Sequence, residues 1–158
     1  MKKLCSLGVV SLFVAIAALS GAKLSARQNR TANRGDLDRF VGAWRLVSLE
    51  EEGADGKLHK ADCLGMFVFS RDGHASVQVM YRDPKTANNA YAQGGYEASY
   101  GRYAINERAH TFTFHLDGAL VRSRIGQDLP RAYELANTQL IVKSTDPKEH
   151  WRVTWEHY

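Results

Sequence analysis

Gly42-Ala43-Trp44-Arg45-Leu46-Val47-Ser48-Leu49-Glu50 is the stretch whose reading decides the fold. A glycine two residues ahead of a tryptophan lets the chain turn sharply without a Cβ clash. The indole that follows is wide enough to plug the bottom of a small barrel beneath a cavity. Simple alternation then places Trp44, Leu46 and Ser48 on one face of a first strand and Arg45, Val47 and Leu49 on the other.

Just upstream, Asp36 is a suitable helix N-cap, and Leu37, Phe40 and Val41 recur at helical spacing before Gly42. One or two turns of helix fit there, with an apolar edge laid against the floor. Downstream, the runs 65–70 and 75–82 flank Arg71-Asp72-Gly73-His74, an Asp-Gly hairpin signal. Phe67 and Phe69 share a face of the first run; Ala75, Val77, Val79 and Tyr81 oppose Ser76, Gln78 and Met80 in the second. Residues 83–95, with Pro84, Asn88-Asn89 and Gly94-Gly95, break the pattern and form a long connection suited to a lid or portal, or to an idle surface loop. Strands are expected again at 97–105, 111–116, 119–125, 131–135, 139–143 and 150–158, with turns at Asp117-Gly118, Ala136-Asn137 and Asp146-Pro147. About eight to ten short strands without a long helix predict an all-β, antiparallel up-and-down barrel with a short N-terminal helix at its floor.

The N-terminus carries a different message. Lys2 and Lys3 precede an uncharged segment, residues 4–22, that ends in Ser20-Gly21-Ala22. A basic start, an apolar middle and a small-residue end make residues 1–22 a signal peptide cleaved near Ala22, which places the mature chain in the periplasm or outside the cell. Residues 23–35 are polar and read as a disordered linker, and 36–158 as the folded domain. Removing Lys2 and Lys3 lowers the formal net charge from +4 to +2, and the arginines are scattered rather than striped, which excludes nucleic acid as the expected partner. With Cys5 removed, Cys63 has no partner for an intramolecular disulfide and reads as a half-buried small residue. No stable membrane insertion is expected after cleavage, and a monomer is the expected state.

Several ordered pieces of the chain resemble one family. They are Phe40-Val41-Gly42-Ala43-Trp44-Arg45-Leu46-Val47-Ser48, the turn Asp55-Gly56-Lys57, Phe69-Ser70-Arg71-Asp72-Gly73 and Ala75-Ser76-Val77-Gln78-Val79-Met80. Gly101-Arg102-Tyr103-Ala104-Ile105-Asn106-Glu107 and His115-Leu116-Asp117-Gly118 complete the set. Together they are similar to the bacterial and fungal lipocalin-like domain family, a calycin type of barrel. The resemblance implies a cup closed at one end and open at the other. Typical members carry a longer helical insertion before the segment matching Gly95-Tyr96-Glu97-Ala98, which here is a glycine-rich loop.

Function follows from what such a cup could hold. The candidate ligand-binding set is Gln78, Met80, Tyr100, Arg102, Tyr103 and His115. Thr111, Thr113, His115 and Asp117 share one strand face against Phe112, Phe114 and Leu116 on the other. Either His115 reaches into the cup, where an imidazole can exchange a proton near neutral pH, or the phenylalanines do and His115 faces water. The barrel-floor set is Trp44 with Arg102 or Arg152 stacked on it. Six histidines without zinc-type spacing, and the absence of a nucleophile elbow, phosphate loop or dinucleotide fingerprint, give no metal and no cofactor. The first expectation is therefore an exported barrel holding a small, largely apolar molecule. The alternatives are an isomerase or cyclase using His115 as acid/base, and a cell-envelope interaction or inhibitor module that uses its outer surface.

Overall fold

The computed structural model describes residues 35–83, 85, 86 and 88–158. The expected signal peptide and the linker up to residue 34 lie outside the described residues. In chain order the elements are α1 (Asp36–Phe40), β1 (Gly42–Glu52), β2 (Leu58–Lys60), β3 (Cys63–Phe69), β4 (His74–Tyr81) and β5 (Tyr96–Asn106). They continue with β6 (Thr111–Ala119), a 3-10 turn (Arg122–Arg124), β7 (Asp128–Ala136), β8 (Gln139–Ser144) and β9 (Trp151–His157). From β3 to β9 each strand pairs antiparallel with the next, and β1 pairs with both β3 and β9. Eight strands thus close a barrel, and β2 is a short addition to the far end of β1. The all-β barrel expected from the sequence is the fold observed.

Closure depends on a bulge in β1. The register against β9 slips between Leu46 and Ser48, so Val47 is the extra residue. A bulge reverses the face on which later residues fall. Trp44 and Leu49 are consequently both buried, and Glu51 joins them on the inner wall, whereas strict alternation puts Trp44 and Leu49 on opposite faces. Val47 is left on the outside.

Aromatic rings fill the floor. Phe40 at the end of α1 is fully buried and meets Phe69, Phe112 and Tyr133 edge to face, with centroids 5.1, 5.5 and 4.8 Å away. Trp44 donates its Nε1 hydrogen to the Phe40 carbonyl at 2.8 Å and stacks on His157 at 3.6 Å between centroids. The sequence offered Arg102 or Arg152 for that stacking position. Both arginines face outward, Arg102 to Asp117 and Arg152 to Glu50, and the imidazole of His157 takes it. Gly42 has φ +140°, and a Cβ there would lie 2.8 Å from His157 Cε1, which is why glycine precedes the plug.

Other local expectations shift by small amounts for identifiable reasons. Asp36 is the first helical residue rather than the cap, and Glu107 accepts its backbone hydrogen at 2.8 Å. In the hairpin at residues 70–74 only Gly73 has positive φ, so its loop is a three-residue type rather than a two-residue one. The expected turn at Asp117-Gly118 does not form. Asp117 is the extra residue of a second bulge, β6 runs on to Ala119, and the expected strand at 119–125 is replaced by the 3-10 turn. Gly118 lies against the Tyr100 ring, where a Cβ would come within 2.4 Å of ring carbon, so the tyrosine covers the gap that the glycine leaves.

Replacing Trp44 by phenylalanine keeps a ring in the plug but leaves the Phe40 carbonyl without its buried donor. The expected cost in urea-unfolding free energy is about 1–3 kcal/mol. Trp44→Ala is expected to cost about 3–5 kcal/mol, from the cavity as well as the lost bond.

Candidate functional site

The interior above the floor is a cavity of about 100 Å³ that remains partly open to the outside. Its lower wall is apolar, built by Phe67, Val77, Phe112, Phe114, Leu129 and Trp155, every one of them buried. Its upper wall is polar. Glu51 from β1, Tyr81 from β4, Glu97 from β5 and Arg131 from β7 point inward there, beneath Asn89 and Tyr91 of the loop following β4.

That loop covers part of the mouth with Asn89 and Tyr91. Ala92 is buried, and Tyr91 is the centre of a compact charged network. Its hydroxyl donates to Glu149 and accepts from Arg131 Nη2 at 2.9 Å. The Arg124 guanidinium lies 4.5 Å above the Tyr91 ring, and Arg124 Nε donates to the Ala90 carbonyl at 3.0 Å. Arg131 is itself buried, with its guanidinium 5.3 Å from the Tyr91 ring centroid and 5.0 Å from that of Trp151. Glu149 also accepts from Ser144 Oγ at 2.6 Å. Burial works against the Glu149 charge, yet the hydrogen bonds from Ser144 and Tyr91 and the charge of Arg131 hold its pKa below the usual value. Burial and the bond to Glu149 push the Tyr91 hydroxyl up. The lid is therefore latched by an ion pair that stays charged at neutral pH.

Glu97 differs from its neighbours. Tyr81 Oη donates to Glu51 at 2.9 Å, and Arg131 is engaged by Tyr91, the Pro130 carbonyl and Glu149. The Glu97 carboxyl has no hydrogen-bond or salt-bridge partner among the described residues. It is surrounded by protein, and the surface it keeps opens on the cavity. Burial pushes its pKa up to about 7; the negative charge of Glu51 adds to this and Arg131 opposes it.

The residues singled out from sequence lie elsewhere. Gln78, Met80, Tyr100 and Arg102 are on the outer wall and exposed. The inward phase of β4 is Ala75, Val77, Val79 and Tyr81, and that of β5 is Glu97, Ser99, Gly101 and Tyr103. Tyr103 is buried, but at the floor, donating to the Ser70 carbonyl at 2.8 Å. His115 faces outward, its Nδ1 2.7 Å from Asp128 and its Nε2 3.6 Å from Asp117. Cys63 is half-buried with its thiol pushed up to about 11 by burial, so it is no thiolate nucleophile. Sequence reading passed over Glu97 and Arg131 because both looked like surface charges. The available signal was phase. Arg131 alternates with Leu129 and Tyr133, and Glu97 pairs across the sheet with Val79.

The family model for the lipocalin-like domain matches residues 41–157, from the residue before β1 to the end of β9. The chain belongs to the lipocalin-like domain family. No curated protein matches its sequence. Solved structures similar to this lipocalin-like chain include a lipocalin-like protein from Bacteroides uniformis ATCC 8492, at 15% identity and a TM-score of 0.48, covering 76% of this chain and 99% of that one. An uncharacterized protein from Bacteroides eggerthii DSM 20697 is 15% identical with a TM-score of 0.45, covering 75% and 99%. A point mutant of the fluorescent protein UnaG is 9% identical with a TM-score of 0.42, covering 77% and 98%.

Two outcomes are expected from this lipocalin-like site. Glu97 keeps its proton in the folded barrel at pH values where the unfolded chain has lost it. Its contribution to stability is therefore greatest below the ordinary carboxylate range and is lost as pH rises through about 7, an effect on the order of 3 kcal/mol. Glu97→Gln is expected to remove that decline, read as the difference between the two proteins' urea midpoints from acid to neutral pH. Tyr91→Phe removes the hydroxyl that joins Arg131 to Glu149, and amide hydrogen exchange at residues 88–95 is expected to accelerate while that of β4 and β5 stays unchanged.

Proposed function

We propose that this chain is an exported binding protein that encloses a small, largely apolar molecule in its barrel. The observation that carries this reading is the interior cavity itself, with six buried apolar or aromatic side chains below and a latched loop over part of its mouth. Such a chamber, apolar with a few converging polar groups, suits a bound small molecule. Its size sets a bound on the cargo. An engineered cavity of about 150 Å³ holds one benzene ring. At about 100 Å³ the chamber as it stands takes a cargo smaller than one ring, such as a short branched chain, and a ring-sized one fits when Tyr91 and its neighbours are displaced. Export is supported by Lys2, Lys3 and the uncharged segment that follows them.

Native mass spectrometry of protein recovered from its host tests both parts. The expected result is a chain that begins near Lys23 and carries a small non-covalent adduct, lost when Tyr91 is replaced by alanine. A chain that retains residues 1–22 would contradict export. An empty barrel that takes up no apolar probe of ring size would contradict binding.

A further inference from the structure

From the cavity geometry we infer that the preferred cargo is a compact amine, with its ammonium on the carboxylate of Glu97 and its apolar body against Phe67, Phe114 and Trp155. This rests on the binding reading above and specifies its ligand class. Three observations carry it. Glu97 lies on the polar wall of the cavity that the apolar side chains also line, and its carboxyl has no hydrogen-bond or salt-bridge partner among the described residues. Arg131, the one cation on the cavity wall among the described residues, is engaged by Tyr91, the Pro130 carbonyl and Glu149 and flanked by the Tyr91 and Trp151 rings, so its charge serves the lid rather than an anionic guest. Two carboxyls, Glu51 and Glu97, face a single arginine across the cavity, which leaves the chamber acidic. Aromatic rings around a carboxylate are also the surroundings that an organic ammonium favours.

The chemistry makes the interaction pH-dependent. An ammonium satisfies Glu97 only when the carboxyl is ionised, and in the empty barrel ionisation occurs near pH 7. The other charged or titratable groups around it are Glu51 on β1, Cys63 on β3, Tyr81 on β4, Arg131 on β7, and Tyr91 with Glu149 at the lid. Burial moves the Cys63 thiol and both tyrosine hydroxyls up, and Glu149 is held low, so these four do not titrate in the same window. Amine binding is accordingly strengthened as pH rises through 7, with a proton released from Glu97.

Calorimetric titration with benzylamine, benzyl alcohol and benzoate, three probes of one size and different charge, tests this. Benzylamine is expected to bind at least about tenfold more tightly than benzoate, as a charge-assisted hydrogen bond provides. Its affinity is expected to rise about tenfold between about pH 5.5 and about pH 7.5. Glu97→Gln is expected to abolish both the preference and the pH dependence, weakening benzylamine at least about tenfold more than benzyl alcohol. The pH series on the unmodified protein keeps the test independent of how well the variant folds. Benzoate binding as tightly as benzylamine, or equal losses of both benzylamine and benzyl alcohol in Glu97→Gln, would overturn the amine assignment alone. Failure of all three probes to bind would overturn the binding reading and this inference with it.

Discussion

Everything inside this molecule is set by how β1 meets β9. That pairing turns an open antiparallel sheet into a closed wall and removes its edges, leaving only the three residues of β2 as an overhang. Because side chains alternate across a strand, closure sorts the chain into an inner and an outer set with no intermediate option. The bulge at Val47 lets one strand do two jobs. Below it Trp44 faces down into the floor, and above it Glu51 faces into the cavity. Without the extra residue, one of the two would point into solvent.

Floor and mouth are built from opposite materials. The floor is a set of edge-to-face rings sealed by one indole hydrogen bond, an arrangement that gains mainly from dispersion and area burial. The mouth is held by Tyr91, Arg131, Glu149 and Arg124, a network of charge and hydrogen bond that a modest change in any member can open. Rigidity at one end and a polar latch at the other are what a container with a lid requires. Glu97 lies between the two regimes. Its carboxyl, surrounded by protein, open only to the cavity and without a partner among the described residues, costs the empty barrel stability at neutral pH, a cost that a bound donor would offset.

The sequence carried the architecture more fully than the chamber. Gly42 and Trp44 identified the plug, Phe40 placed the helix at the floor, and the alternation of β4 was legible, although Gln78 and Met80 were assigned to the cup where Val77 and Val79 line it. What failed was the propagation of phase. Bulges at Val47 and Asp117 each add a residue that no local pattern marks, so faces inferred by counting in twos invert beyond them. On β6 both phases were open from sequence, and the phenylalanines took the interior because apolar area gains more from burial than His115 does between Asp117 and Asp128. Glu97 and Arg131 stayed hidden for a related reason. A charged residue in the apolar phase of a strand is invisible until its cross-strand partners, Val79 for one and Phe112 for the other, are known to face inward. Tyr91 was legible only as part of a long loop, since its contacts with Arg124, Arg131 and Glu149 join residues far apart in the chain.

The chamber's polarity and its cargo both depend on the placement of one carboxyl inside the closed wall. Following the Glu97 side-chain carboxyl by carbon NMR through a pH titration of the empty protein tests that placement at the atom concerned. The expected midpoint is near 7, well above the ordinary value for glutamate. A midpoint in the ordinary carboxylate range would mean that Glu97 stands in water and that the barrel interior is not as described.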